Sequence, residues 1–295
     1  MPNWRTVRVP ASSANLGPGF DALGLALGIY LECRFRPSPH LTIRAAGRDA
    51  ALISTAGDNL IWQIAQQTGA AEPIELEIHN HIPIGKGLGS SAAAVTAGVV
   101  IGSEIAGFQW DRTRVLDQAA RIEGHPDNVA ACVLGGLVTA AIDCSGVVSA
   151  VRGDLYPDYR VAVVVPDFLL PTAESRSVLP AAYSREDAIF NVQRAALLIT
   201  ALTTGAGHAF PAALDDRMHQ PYRFALVPGL EDMTRLRAPG LLGCALSGAG
   251  PSVLVFHEHG HEHVCDLVQA IFGAHGRSSE VLRPGVPEHG YELCD

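Results

Sequence analysis

The chain predicts an α+β fold, and three observations carry that prediction. With 295 residues, 48% of them apolar and 17% charged, it can bury a sizeable core and has the composition of a globular protein. Runs that alternate like strands and runs with helical spacing both occur along its length. They follow one another without a regular βαβ repeat, which favours an α+β arrangement over a doubly wound parallel sheet.

Taken in order, residues 5–10 (RTVRVP), 29–36 (IYLECRFR) and 74–78 (IELEI) alternate as strands. Residues 59–68 have helical spacing, with Leu60, Ile61, Ile64 and Ala65 on one face. Helices are expected over 90–106 and over 111–122, the second with Asp111 as N-cap. The stretch 126–142 reads as a helix, a break at Gly135-Gly136 and a strand, LVTAAI. Residues 161–165 (VAVVV) predict a buried strand, and 184–203 a helix capped by Ser184, with Ile189, Val192, Ala196 and Ile199 as its core stripe. A glycine turn and the strand SVLVF occupy 241–256, followed by a helix over 261–272 and a strand at 279–282. The weakest seam is 144–158, rich in glycine and polar residues, where a domain boundary is expected.

No unbroken apolar stretch reaches the roughly 18–20 residues that span a membrane, and the opening MPNWRTVRVPASSANLG lacks the apolar segment of a signal peptide. A cytoplasmic protein with no membrane partner is the expectation. The formal net charge of −9 argues against a nucleic-acid partner and means that a polyanionic ligand needs a local positive site or a metal. The six cysteines form no CxxC pair, so buried reduced thiols are expected. The tract HEHGHEH (257–263) follows a strand and reads as a solvated turn, because a zinc site needs a defined tetrahedral set.

The stretch IPIGKGLGSSAAAV (82–95) runs three glycines and two serines into a helix, and holds Lys86, the chain's one lysine beside twenty arginines. A helix N-terminus leaves unpaired N–H groups and carries partial positive charge. Glycines before it let further N–H groups converge, a combination that holds phosphates. Ser90 and Ser91 add hydroxyls, one able to reach a Mg²⁺, and Lys86 adds a mobile charge. The order GKGLGSS is neither GxxxxGK[ST] nor GxGxxG. Two further stretches share its character. Pro10–Leu27, PASSANLGPGFDALGLAL, mixes small residues with Asn15 and Asp21 in a loop too glycine-rich for core. LSGAGPSV (246–253) lets the backbone pass close to a ligand through Gly248 and Gly250.

These three stretches, in this order and spacing, resemble the motifs of the GHMP kinases over nearly the whole chain, from residue 7 to about 256. Narrower features (PASSANLGPGFDALGLAL, EGHPDNVAACVLGG, PTAESRSVLP and HQPYR) are similar to those of the branch acting on the amino-acid alcohol L-homoserine, on the route to threonine. The resemblance implies an N-terminal ATP-binding domain (1–155) like ribosomal protein S5 domain 2, a ferredoxin-like C-terminal domain (156–295), and an active site between them. It implies ATP and Mg²⁺ as cofactors, and transfer of the γ-phosphoryl group to the side-chain hydroxyl. Homodimers are common in that family, so a homodimer is an open option.

Roles then follow the chemistry. Pro83, Ile84, Gly85, Lys86, Gly87, Leu88, Gly89, Ser90, Ser91, Ala92 and Ala93 form the expected triphosphate cradle. By resemblance, adenine lies against Asp58, Asn59 and Leu60. Ser91 and Glu123 offer the hard oxygens that Mg²⁺ prefers, and the resemblance agrees. A carboxylate calls for arginine, and Arg176 and Arg223 match the family's positions. Asp21 suits the ammonium. Asn15, His125 and Thr172 match other substrate-lining positions. For the hydroxyl proton the residues alone point to Asp127. The resemblance instead implies contact from Asn128, with no strong base and Asp127 structural. Asn128 and Arg176 are the expected catalytic pair. Two other readings remain: a GHMP kinase for a sugar or mevalonate, which would not need both arginines, and a nucleotide sensor, which would not need Glu123, Ser91 and Asn128.

Overall fold

A computed structural model of the chain describes residues 3–294. The first sheet is built on a long antiparallel pair, β1 (Arg5–Ala14) and β2 (Leu23–Pro37). Pro10 has no N–H to give the ladder, and the register shifts between Pro10 and Ala11. β3 (Thr42–Gly47) lies parallel to β4 (Ile74–Asn80). A parallel pair needs a crossover, and the connection carries α1 (Leu60–Thr68), whose N-cap Asn59 accepts the Trp62 N–H. α2 (Ser90–Ile105), α3 (Arg112–Glu123) and α4 (Asp127–Leu134) follow, with α2 and α4 packed on β1 and β2. α2 is alanine- and valine-rich and buried over most of its length, as a helix inside a core must be. The hairpin β5 (Leu137–Ile142) and β6 (Val148–Gly153) joins the sheet through β2.

β7 (Tyr159–Pro166) opens a second, four-stranded antiparallel sheet. Helices α5 (Thr172–Ser177), α6 (Arg185–Thr204), α7 (Phe210–Ala213), α8 (Gln220–Arg223) and α9 (Leu230–Arg235) precede β8 (Leu241–Leu246). Then come β9 (Val253–Glu258), α10 (Val264–Ala274) and β10 (Ser279–Leu282). The order β10-β7-β9-β8, with helices between the first and second and between the third and fourth strands, is ferredoxin-like. Alternate residues of β7 serve two cores. Val161, Val163 and Val165 pack into the cluster shared with the first sheet, and Ala162 and Val164 into a second cluster with Phe272 of α10. The two lobes are thus in apolar contact, and the loops between them are held close.

Several elements differ from expectation. Pro10–Ala14 continues β1, and residues 9–19 are all buried, because past the bulge this strand runs under the glycine loop. Leu60 is exposed. Most of the expected core stripe of α6 faces outward, with Ile189 47% and Val192 68% exposed and Ala196 exposed, while Ile199 alone packs against the core. The buried side carries Asn191, Leu198, Ala201 and Leu202. Asn191 sets this rotation by donating to the Pro18 carbonyl and Asp216 and accepting from the Arg217 N–H. β6 lies within the expected seam, and the division at 155/156 falls in the connection between the two sheets. The end of the chain departs from that division: β11 (Glu292–Cys294) pairs with the edge of β1 in the first sheet. Cys144 and Cys294 are exposed, while the other four cysteines are buried. Burial pushes the Cys132 and Cys244 thiols up to about 12. In the histidine tract, His257 is a buried β9 residue.

Candidate active site

The three glycine-containing stretches meet between the sheets. The Ser12 N–H donates to the Leu88 carbonyl (3.1 Å) and the Gly248 N–H to the Ala14 carbonyl (3.0 Å). Ser247 Oγ donates to the Gly87 carbonyl (2.7 Å). Asn15, at φ 69°, donates from Nδ2 to the Gly248 carbonyl and accepts the Asp21 N–H at Oδ1, each at 3.0 Å. Asp21 itself sits at φ 53°. Non-glycine residues in this region are costly and persist where the surroundings over-determine them. α2 begins above this junction at Gly89, φ 66°, with no side chain capping it, so its first N–H groups open toward the cleft.

The cleft has a cavity volume of about 130 Å³. At one end, Arg176 Nη2 donates to Asp21 Oδ1 at 2.9 Å. Beside them Arg223 is 1% exposed, and burial together with the Arg176 charge pushes it down to about 10, so it is still charged at neutral pH. Phe20 lies under both guanidinium groups, at 5.7 and 5.8 Å. In the middle, His125 Nδ1 pairs with Asp127 Oδ1 at 2.8 Å, and the same oxygen accepts the Asn128 N–H at 2.8 Å. Burial alone would lower His125, but the Asp127 bond and the charges of Asp127, Glu123 and Asp21 outweigh it and hold the imidazole above its ordinary value. Ser12 Oγ donates to Asn128 Oδ1 at 2.9 Å, which fixes the amide with its NH₂ free to donate. At the mouth of α2, Ser91 Oγ donates to Glu123 Oε2 at 3.2 Å. Burial holds the Glu123 carboxyl above its usual range, so a cation would relieve it.

A second cavity of about 350 Å³ opens past Ser90 and Ser91. Asn59, Leu60, Ile61 and Ile84 line it, making a mainly apolar slot with a few polar groups.

Residues 58–136 match the family described as GHMP kinases N terminal domain. The chain is similar to a homoserine kinase of Solibacter usitatus, 64% identical over 99% of this chain and 97% of that protein. It is also similar to one of Deinococcus radiodurans, 45% identical over 86% and 84% of the two chains. The chain belongs to the homoserine kinase family. A crystal structure of homoserine kinase from Cytophaga hutchinsonii superposes with a TM-score of 0.85, at 25% identity, over 99% of this chain and 98% of that one. The fold is accordingly the two-domain GHMP kinase fold.

Of the residues expected at the site of such a kinase, Gly85, Gly87, Leu88, Gly89, Ser90 and Ser91 line the main cleft. Asn15, Asp21, Glu123, His125, Asn128, Thr172, Arg176 and Arg223 line it with them. Asn59 and Ile84 line the second cavity instead. Pro83 is buried beneath the loop, and Ala92 and Ala93 point into the core, 1% and 0% exposed. Lys86 is turned away from the cleft. Its Nζ donates to the Pro166 and Phe168 carbonyls at 2.8 and 2.7 Å, stitching the loop to the end of β7. Burial lowers its pKa, against the raising charges of Asp167 and Asp49.

Among the described residues, Asp21, His125 and Asp127 are the one group of three whose ligand atoms could meet on a metal. Asp21 is already paired with Arg176 and Asp127 with His125, whereas the side chains of Ser91 and Glu123 bond only to each other among the described residues. Sequence reasoning missed Ser12, Phe20 and His219, whose signal lay in the quoted motifs PASSANLGPGFDALGLAL and HQPYR.

Proposed function

We propose that this protein transfers the γ-phosphoryl group of ATP to the side-chain hydroxyl of L-homoserine, giving O-phospho-L-homoserine, ADP and the released hydroxyl proton. One observation carries the reading: Asp21, Arg176 and the buried Arg223 stand together in a cleft that the open end of α2 also faces. An amino-acid zwitterion satisfies such a set. Its ammonium replaces Arg176 at Asp21, and its carboxylate takes the fork donors of the two arginines. A neutral sugar offers no carboxylate to either guanidinium and no ammonium to take the place of Arg176 at Asp21.

The loop 83–93 and the N–H groups of α2 hold the triphosphate, and the apolar slot beside Asn59 and Ile84 takes adenine. Ser91 and Glu123 would hold Mg²⁺, and their hard oxygens and the strained Glu123 charge fit it. Bound there, the metal supplies neutralisation of phosphate charge. Asn128 Nδ2 donates to the hydroxyl oxygen and fixes its line of attack. Asp127 is engaged by His125 and the Asn128 N–H, which makes it a positioning group. Phosphoryl transfer through a loose transition state needs placement more than a strong base. The domain division at 155/156 places nucleotide contacts on the first lobe and the arginines on the second.

The test is ADP release from Mg·ATP with L-homoserine, mevalonate, galactose or no acceptor. Release with homoserine alone supports the reading. Release with galactose or mevalonate instead would replace it.

A further inference from the structure

One buried titratable group has no part in this scheme. His219 is fully buried, one turn before Arg223 on the segment HQPYR. Arg223 can only donate and a carbonyl can only accept, so the two ring nitrogens are assigned by their partners. Nδ1 accepts from Arg223 Nη1 at 2.9 Å, and Nε2–H donates to the Gly17 carbonyl at 2.6 Å. Asp216 lies 3.4 Å from Nε2 but is spent on the loop before α8: it accepts the Met218, His219 and Gln220 N–H groups and Asn191 Nδ2. The His219 ring stacks on Phe20 at 5.3 Å, the same ring that lies under Arg176 and Arg223.

The Arg223 fork is pinned on the other sides as well. Nε donates to the Ser175 carbonyl at 3.1 Å and Nη1 also to the Gly248 carbonyl at 3.3 Å. Nη2 donates to no group among the described residues and is the donor left for a ligand in the cleft. A guanidinium can turn about its last bonds, so an acceptor that takes Nη1 decides where Nη2 points.

We infer that His219 is a positioning residue for the substrate carboxylate, acting as a neutral Nδ1 acceptor that aims Arg223 Nη2 into the cleft and ties it to the Gly17–Phe20 loop. The inference rests on the reading of Arg223 as a carboxylate contact.

The two ring nitrogens can be replaced separately. His219→Asn keeps an acceptor near Nδ1, whereas His219→Gln keeps a polar group near Nε2 and removes that acceptor. Steady-state kinetics would be measured for both, for Arg223→Met, and for the His219→Gln/Arg223→Met double variant, with unfolding curves for each. His219→Gln should raise KM for L-homoserine about tenfold or more, as expected for losing a bond to a charged group. KM for ATP should stay unchanged. His219→Asn should stay within about threefold of the parent, and the Gln change should add nothing in the Arg223→Met background. Equal effects of Asn and Gln, or a further loss from Gln once Arg223 is gone, would overturn the inference. If the Gln variant does not fold, a folded Asn variant with a strongly raised KM for homoserine would overturn it as well. Absence of homoserine-dependent turnover in the parent protein would instead reject the functional reading.

Discussion

Gly87→Ala tests how the nucleotide loop is held. Gly87 has φ +75°, and a Cβ placed there would lie 2.7 Å from the Gly250 carbonyl oxygen and 2.9 Å from the Gly250 nitrogen, with the Ser247 carbonyl oxygen closer still. All three are backbone atoms, so no side chain can swing aside. Ordinary contact requires the loop and the 247–250 turn to separate by about 1 Å, a misplacement that can cost about 10²-fold in rate. The left-handed backbone costs an L-residue about 1–2 kcal/mol, and forced packing about 1–3 kcal/mol more. Alanine at 87 should therefore lower unfolding free energy by about 2–5 kcal/mol in a urea titration. It should also reduce kcat/KM for ATP by about 10²-fold. Gly57→Ala, where no atom lies within 4 Å of the added carbon, serves as the control. Parent-like stability and kinetics for Gly87→Ala would refute the idea that this contact sets the loop.

Three other outcomes follow from the same geometry. Glu123→Gln should lower turnover by about 10²-fold, typical of losing one preorganised electrostatic contact; near-parent turnover at limiting Mg²⁺ would remove Glu123 from the metal. Lys86→Arg should be mild, while Lys86→Met leaves the Pro166 and Phe168 carbonyls without their donor and should cost about 1–3 kcal/mol of stability along with a higher KM for ATP; an inactive but folded Lys86→Arg protein would overturn this. His219 faces Asp216, Arg223 and Asp21, and burial holds its folded pKa below the ordinary value despite Asp216. A depressed folded pKa means that its contribution is present above the unfolded pKa of about 6.5 and is lost as pH falls below it. His219→Asn should flatten that acid limb of the stability curve, and an unchanged slope between about pH 6.5 and 5 would contradict the neutral assignment.

How much of this was legible in sequence depended on the kind of signal. Asp111 and Ser184 were readable as N-caps because a side-chain oxygen before an N–H three residues on is a local arrangement. The glycine loop was readable because its backbone needs are written in residue type. The outward turn of the stripe over 189–196 was not, since Asn191 sets the rotation through Pro18, Asp216 and Arg217, distant in sequence or in another loop. Leu60 shows the same limit: it has the right helical phase but lies on the rim of a cavity. Lys86 looked like a phosphate contact because it lies between phosphate-loop glycines. Only the packing of β7 against the loop shows carbonyls waiting on its other side. The motif HQPYR discloses no role for His219, whose meaning resides in what its two ring nitrogens touch.

A crystal structure with Mg²⁺, a non-hydrolysable ATP analogue and L-homoserine would show directly whether the cleft binds its ligands in this way. The carboxylate should lie on Arg176 and Arg223, the ammonium on Asp21 in place of the Asp21–Arg176 pair, the hydroxyl at Asn128 Nδ2, and the phosphates over the first turn of α2. An amino acid bound with its carboxylate away from both arginines, or a nucleotide held outside the glycine loop, would contradict this arrangement.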